Sequence, residues 1–298
     1  MNRDLCVTEA EAGLTTVEFL QRRIPAAPAS YLHQLLKKGK VTGLHGPLTG
    51  SQTLAAGMVV QLPASARLDE LRAQVVQPAP EVRVLFESRE LLIVDKPAGV
   101  AIHSSVGHEE DNLTARIAAR SAARGEKFRI APVHRLDLET SGPVMFGKGK
   151  QACAAFGRLF IQQQVEKVYL ALVAGRLPGS GSLLSPVPAK GKEKEAHTDY
   201  VGRLRSDETT LLELRLHSGR QHQIRRQLAD LGHPLYGDRR YGGPCPDALP
   251  RLFLHCSKLV FQDPFSGANQ IVEVPLPTDL KVFLSTQFPA DLMLKEGL

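Results

Sequence analysis

The sequence of 298 residues predicts an α+β fold. Its main domain is expected to be a mixed, largely antiparallel β-sheet with flanking helices, preceded by a small α/β unit. Three observations predict this. Strand-like segments come in runs as well as beside helical segments, which favours α+β over strict alternation. The first residues carry their own order of two helices and short strands. Pro78 and Pro80 then interrupt the chain just before a pair of long apolar strands. With 43% hydrophobic residues the chain can bury a proper core, and its length allows a medium domain with a small appendage.

Residues 1–65 read as the small unit. Residues 16–23 and 30–38 are helical, with Pro25 and Pro28 between them. Lys37-Lys38-Gly39-Lys40 is a basic helix end with a glycine stop. From Val41 onward short strands alternate with turns at Gly43, Gly46 and Gly50, and the unit ends at Val59-Val60-Gln61-Leu62-Pro63. This order resembles an S4 RNA-binding domain, although Tyr31 stands where S4 domains commonly carry a basic residue. A plain capping domain is the competing reading.

Residues 66–80 read as a linker and residues 81–298 as the main domain. Residues 82–87 and 91–95 are strands around a polar turn, and 112–124 is an alanine-rich helix. Residues 142–147 form a strand, 151–164 an amphipathic helix, and 165–174 and 209–216 further strands. Gly179-Ser180-Gly181-Ser182 and the charged run 190–195 read as loop. A helix over 220–231, strands near 252–261 and 270–274, and a final helix from Thr278 complete the order.

The net charge of +6 suits a polyanionic partner without specifying one. Cys6, Cys153, Cys245 and Cys256 show no C-x-x-C spacing, which argues against a disulfide scaffold or a zinc site and fits a reduced, cytoplasmic protein. The N-terminal residues carry acids and no apolar signal core, and no apolar run approaches membrane-spanning length. A soluble monomer is expected.

Three segments carry the chemistry. His134-Arg135-Leu136-Asp137-Leu138-Glu139-Thr140-Ser141-Gly142 places an acid among turn-forming residues, on the kind of loop that often bears functional groups. Lys167-Val168-Tyr169-Leu170-Ala171-Leu172-Val173-Ala174-Gly175 puts Tyr169 on one strand face with Lys167 and Ala171. Ser218-Gly219-Arg220-Gln221-His222-Gln223-Ile224-Arg225 is basic and opens a helix whose apolar stripe is Ile224, Leu228 and Leu231. Arg225 lies on the edge of that stripe and needs an anionic partner, because a buried unpaired charge is costly. Asp137 is the expected partner. Arg226 has Asp230 four residues on, a surface pair worth about 0.3–0.5 kcal/mol. Taken singly, Asp137 reads as a turn cap and Tyr169 as a packing residue with a satisfied hydroxyl.

Together these segments resemble the signature motifs of the RluA-type pseudouridine synthases. Asp95-Lys96-Pro97-Ala98-Gly99-Val100-Ala101-Ile102-His103 resembles the family's first motif, although a simple strand-ending turn would also account for it. Gly232-His233-Pro234-Leu235-Tyr236-Gly237-Asp238 continues the last, where the glycine and proline read as a helix stop. The resemblance runs in order through residues 82–275, which is more specific than any single string. It departs from the commonest form at Ser218 and Gln221, where threonines are frequent, without loss of a charge.

The resemblance implies the pseudouridine synthase fold and the isomerisation of RNA uridine to pseudouridine. That reaction breaks the N1–C1′ bond and makes a C5–C1′ bond, so no redox cofactor or metal is required and none is expected. By the resemblance, Asp137 is the catalytic carboxylate, Tyr169 stacks on the base and is a candidate for C5 proton removal, and Arg225 is the active-site basic residue. A flipped base costs a few kcal/mol to extrude. Arg135 could fill the space it leaves, since guanidinium planes stack on bases. His134 is expected to orient, Leu216 to form apolar wall, and Arg220, Lys37, Lys38, Lys40, Arg239 and Arg240 to contact RNA. Ribosomal RNA is favoured over transfer RNA, because an S4-like unit more often accompanies relatives directed at ribosomal RNA.

Other chemistries fail on spacing. His108-Glu109-Glu110 with Pro244-Cys245 would need a cysteine at Ala248 for a zinc deaminase, and a histidine at Asn112 for a H-E-x-x-H site. Gly147-Lys148-Gly149-Lys150 lacks P-loop spacing, and Gly179-Ser180-Gly181-Ser182 is no nucleophile elbow. A glycosidase would need a second paired carboxylate, and Glu139 is too close in sequence to assign. A non-catalytic RNA-binding or ribosome-assembly protein would account for the charge and the first unit. It would not account for an acid, a tyrosine and an arginine together in matching settings.

Overall fold

Two units divide the chain, Met1–Pro80 and Glu81–Leu298. The computed structural model describes residues 4–25, 27–73, 82–104, 111–126, 128–189 and 192–297. The His108-Glu109-Glu110 string therefore lies outside the described residues.

The first unit contains β1 (Asp4–Cys6), α1 (Thr16–Arg23), α2 (Ala29–Lys37), β2 (Thr42–Gly43), β3 (Gly46–Pro47), β4 (Val59–Gln61) and α3 (Ala66–Ala73). Helix α1 begins where Thr15 and Glu18 form a capping box, with Thr15 N–H donating to Glu18 Oε2 at 2.9 Å. Phe19, Leu20, Leu32, Leu36 and Val60 share one core. The sheet runs in the order β1-β4-β2-β3. Lys37, Lys38 and Lys40 lie at and just beyond the end of α2, and all three are exposed.

The stretch expected to be a linker begins instead as α3, whose Leu68 and Leu71 are buried in the same core. Two leucines three residues apart are enough to seat one helical face, but too few to form a legible stripe. The rest of that stretch, 74–80, is outside the described residues.

The second unit starts with the hairpin β5 (Val84–Glu87) and β6 (Leu91–Lys96), then α4 (Leu113–Ala123), capped by Asn112 Oδ1, β7 (Ile130–Pro132), β8 (Gly142–Lys148) and α5 (Lys150–Ile161). It continues with β9 (Glu166–Ala174), β10 (Ser180–Ala189), β11 (Lys192–Arg205), β12 (Thr209–Leu216), α6 (Gln223–Asp230), β13 (Leu254–Gln262), β14 (Asn269–Glu273), α7 (Thr278–Gln287) and α8 (Ala290–Lys295). One sheet has the order β5-β6-β8-β7 and the other β10-β11-β12-β9-β13-β14. Pairs of named strands are antiparallel, and a parallel bridge between Ser141 and His255 joins the two sheets. Gly142 makes this junction possible. Its φ is +127°, and a Cβ there would stand 2.2 Å from the carbonyl oxygen of Cys256. Val144, Phe156, Ala171, Leu212 and Leu254 belong to the common core.

The expected loops are corrected at 180–182 and 192–195, which lie in the paired strands β10 and β11, where Ser182 pairs with Asp199 and Pro186 with Glu195, while residues 190–191 of that expectation lie outside the described residues. Strand β10 is an edge, where prolines and polar residues are tolerated because one side of the backbone needs no partner. On β11 the inward positions are the small Ala196 and Thr198, so the run carries no strong apolar alternation. The expected single C-terminal helix is two, since Pro289 restarts the chain as the cap of α8. Among the described residues no helix is long and apolar enough to cross a membrane.

Candidate active site

Asp137 sits on the loop between β7 and β8. The loop closes on itself through Thr140 N–H, which donates to Asp137 O at 3.1 Å. Leu136 is buried and anchors it. His134 Nε2 accepts from Met145 N–H at 3.0 Å, and its ring stacks 4.4 Å from that of Phe160. Burial lowers the His134 pKa to about 3, so the ring is neutral and works as a positioned acceptor.

Beneath the loop lies Lys96, a fully buried lysine from the end of β6. Its Nζ donates to Pro97 O and to Leu138 O, each at 2.9 Å. Gly99 N–H reaches the same Leu138 O at 2.9 Å, and Arg251 Nη1 reaches Glu139 O at 3.3 Å. Burial, aided by Arg251, brings the Lys96 pKa down to about 7. The segment that could have been a simple strand-ending turn thus supports the loop carrying the acid.

Arg225 lies on the buried side of α6 and meets two acids. Its Nε and Nη2 bind Asp238 Oδ2 and Oδ1 at 2.6 and 2.8 Å, a two-pronged pair. Its Nη1 is 4.0 Å from Asp137 Oδ2. The expected Arg225–Asp137 pair is therefore corrected: Asp238 is the primary partner and Asp137 a looser neighbour. Burial opposes the Arg225 charge, but the bonds to Asp238 outweigh it and raise its pKa. The Arg226–Asp230 pair is replaced as well, because Arg226 Nε donates to the Tyr241 hydroxyl at 2.9 Å. The Tyr241 ring also lies 5.1 Å from the Arg225 guanidinium, a cation–π contact.

Helix α6 begins three residues later than expected, because Arg220, Gln221 and His222 precede it in non-helical conformation. His222 takes the left-handed conformation at φ 53°. That aims its Nε2 to 3.9 Å from Asp137 Oδ2, while Nδ1 bonds the Tyr241 hydroxyl at 3.0 Å. Burial lowers the His222 pKa, with Asp137 opposing and the surrounding arginines reinforcing the shift.

Tyr169 is held on β9 between Leu214 of β12 and Cys256 of β13. Burial raises the phenol pKa well above its ordinary value, and Cys256 and Asp137 add to the rise. Cys256 is itself pushed up to about 12 by burial. The ring is therefore available for stacking, whereas its phenolate is disfavoured.

These groups line one cleft of about 710 Å³. Asp137, Tyr169 and Arg225 meet there with His134, Leu216 and Arg220, and the exposed Arg135 joins them. Arg220 Nε is buried without a hydrogen-bond partner among the described residues. Lys167 lines the same wall and donates to Ser218 O at 3.3 Å. Lys37, Lys38 and Lys40 are not among the lining residues. Sequence reasoning missed Lys96, His222, Asp238 and Tyr241 as partners of the site. Asp238 closes the last motif and Tyr241 follows two arginines, but neither position reveals which side chain it meets. The chemical outcome is a carboxylate near two cationic or polarisable groups, with no direct hydrogen bond to its side chain among the described residues. Such an acid can attack carbon or take a proton.

The family model described as RNA pseudouridylate synthase matches residues 90–230. An RNA pseudouridine synthase of Bacillus subtilis, described as uncharacterised, is 34% identical across 74% of this chain and 78% of its own. Ribosomal large subunit pseudouridine synthase D of Nitrosomonas europaea is 30% identical across 94% of this chain and 86% of its own. Ribosomal large subunit pseudouridine synthase C of Yersinia pestis is also 30% identical, across 93% of each chain. The solved structure of human RNA pseudouridylate synthase domain containing 4 superposes with a TM-score of 0.57, at 21% identity, over 67% of this chain and 90% of that one. The fold and the cleft define an RNA-modifying isomerase of the pseudouridine synthase class. The chain belongs to the RluA family of RNA pseudouridine synthases.

Proposed function

We propose that Asp137 supplies the carboxylate for isomerisation of uridine in ribosomal RNA. The observation that carries this reading is the state of that side chain. It is partly buried in the cleft, with Arg225 Nη1 at 4.0 Å and His222 Nε2 at 3.9 Å, yet it makes no hydrogen bond among the described residues. Its lone pairs are uncommitted while its charge is compensated.

In this reading the target uridine leaves its stack and enters the cleft. Arg135 fills the space behind it, and Tyr169 stacks on the base against the apolar wall at Leu216. Asp137 performs the covalent or proton-transfer step, and Arg225, fixed by Asp238, orients it. His134 holds the loop, and Arg220 contacts the backbone. No step calls for a redox cofactor or a metal, since no electrons are transferred and only the glycosidic connection changes. The names of the relatives from Nitrosomonas europaea and Yersinia pestis favour large-subunit ribosomal RNA as substrate. The first unit, S4-like in element order, adds backbone contacts through Lys37, Lys38 and Lys40. The enzyme acts as a cytoplasmic monomer.

The test is tritium release from ribosomal RNA labelled at uridine C5, with wild type and Asp137→Asn side by side. Release by wild type and none by the variant, with equal RNA affinity, is the expected result. Retained single-turnover release by Asp137→Asn would remove Asp137 from the chemistry. Removal of residues 1–80 should weaken RNA binding more than the rate of bound substrate. An unchanged dissociation constant would refute RNA contact by the first unit.

A further inference from the structure

A second cluster of ligating side chains stands on the β10–β11–β12 face. His197 and Asp199 are two residues apart on β11, so both project opposite to the buried Ala196 and Thr198. His217 follows β12, and its N–H donates to His197 O at 3.1 Å, which sets the two imidazoles side by side. The rings stack with centroids 4.1 Å apart and planes at 22°. Both Nε2 atoms converge on one carboxylate, His197 at 3.0 Å from Asp199 Oδ1 and His217 at 2.6 Å from Oδ2. Ser182, opposite Asp199 on β10, donates its hydroxyl to Oδ1. The ligand atoms of the three residues lie within 4.8 Å of one another, and each side chain is more than a third exposed.

Two imidazole nitrogens and one carboxylate thus converge on a single point of the exposed strand face, where a divalent cation can use both nitrogen lone pairs and a carboxylate oxygen at once. We propose that His197, Asp199 and His217 form a binding site for a divalent transition metal of the Zn²⁺ type. Two imidazole nitrogens and one carboxylate oxygen suit Zn²⁺, Co²⁺ or Ni²⁺, whereas Mg²⁺ and Ca²⁺ prefer oxygen ligands and more of them. The exposed side leaves coordination positions for water or an anionic oxygen. His217 also lines the cleft, so a phosphate oxygen of bound RNA is the anion nearest in chemistry. Ser182 acts from outside the ligand set by fixing the carboxylate. The site goes beyond the isomerisation, which needs no metal, and its test does not depend on that activity. Its ligands escaped spacing rules because the third lies 18 residues beyond Asp199, across a strand turn.

The experiment uses untagged, full-length protein stripped with a chelator and titrated with Co²⁺ and then Zn²⁺. Wild type is expected to bind Co²⁺ stoichiometrically with a visible absorption band that Zn²⁺ abolishes and excess Mg²⁺ does not. Zn²⁺ should also raise its unfolding temperature, as any ligand of the native state does. Asp199→Asn and His197→Gln should lose both signals. Ser182→Ala should keep the band with affinity lowered by about 10–100-fold. Absence of stoichiometric binding by wild type, or equal binding by folded Asp199→Asn and His197→Gln, overturns the proposal. Should those two variants fail to fold, an unchanged affinity in Ser182→Ala overturns it, and a weakened one supports it.

Discussion

The two walls of the cleft hold their charged groups in opposite ways. On the wall that bears Asp137, the fixing bonds go to the backbone. Lys96 and Gly99 bind Leu138 O, Arg251 binds Glu139 O, and the carboxylate is left without a hydrogen bond among the described residues. On the α6 wall the fixing bonds go to the functional group itself, where Asp238 grips the Arg225 guanidinium at two points. On the proposed mechanism the difference separates two jobs. The group proposed to change its bonding is held by its main chain. The group proposed only to supply a field is held by its head, because a preorganised charge need not reorient as a reaction proceeds.

The largest effect should come from removing the uncommitted group. Asp137→Asn keeps shape and backbone bonds, and turnover should fall by at least about 10²–10⁴-fold, measured as tritium release in single turnover. Next comes the gripped group. Asp238→Asn leaves Arg225 buried beside a neutral amide, and stability should fall by about 3–5 kcal/mol in urea unfolding, as for other broken buried pairs. A loss below about 1 kcal/mol would mean that solvent reaches Arg225 and that the wall is not preorganised.

Lys96 tests the backbone-held wall through pH. Its folded pKa is about 7 against an ordinary 10.5, so between those values the unfolded chain binds the proton that the folded protein has lost. Stability from this residue therefore rises with pH across that window, by up to roughly 1.4 kcal/mol per pH unit. Below about 7 the full cost of a buried ammonium is present. Lys96→Met should abolish that rise, and identical pH profiles of unfolding free energy for the two proteins would contradict it. The smallest effect is reserved for the Tyr169 hydroxyl. Tyr169→Ala should cost about 1–3 kcal/mol of substrate binding through lost stacking. Tyr169→Phe should change single-turnover release little, since burial already disfavours the phenolate. A complete loss of release in Tyr169→Phe would restore the hydroxyl to the proton transfer.

That Asp137, Tyr169 and Arg225 come together in one cleft was legible in the sequence, because each sits in a distinctive local string and the three strings follow one another in a fixed order. Their partners were less so. Asp238 reaches Arg225 from 13 residues downstream through a loop that has no periodicity, and Asp137, the acid with the more distinctive surroundings, took its place. Lys96 sits one residue before a proline turn that would suffice by itself, and only the fold shows the loop lying over it. The main strands follow alternation and β-branched content, and 209–216 coincides with β12. The β10–β11 hairpin does not, because an edge hairpin with alanine and threonine inward has the composition of a charged loop.

The cleft holds one further consequence, in the language of electrolytes. Arg135, Lys167 and Arg220 line it alongside the acid. Each phosphate such a cation neutralises releases a condensed counterion from single-stranded RNA, steepening the fall of affinity with the logarithm of salt concentration by about 0.7. Replacing Arg135 by glutamine should flatten that slope by about one such step if the side chain meets phosphate, and leave it unaltered if the guanidinium stacks in place of the departed base. Ionic strength thereby distinguishes a residue that grips the strand from one that props it open.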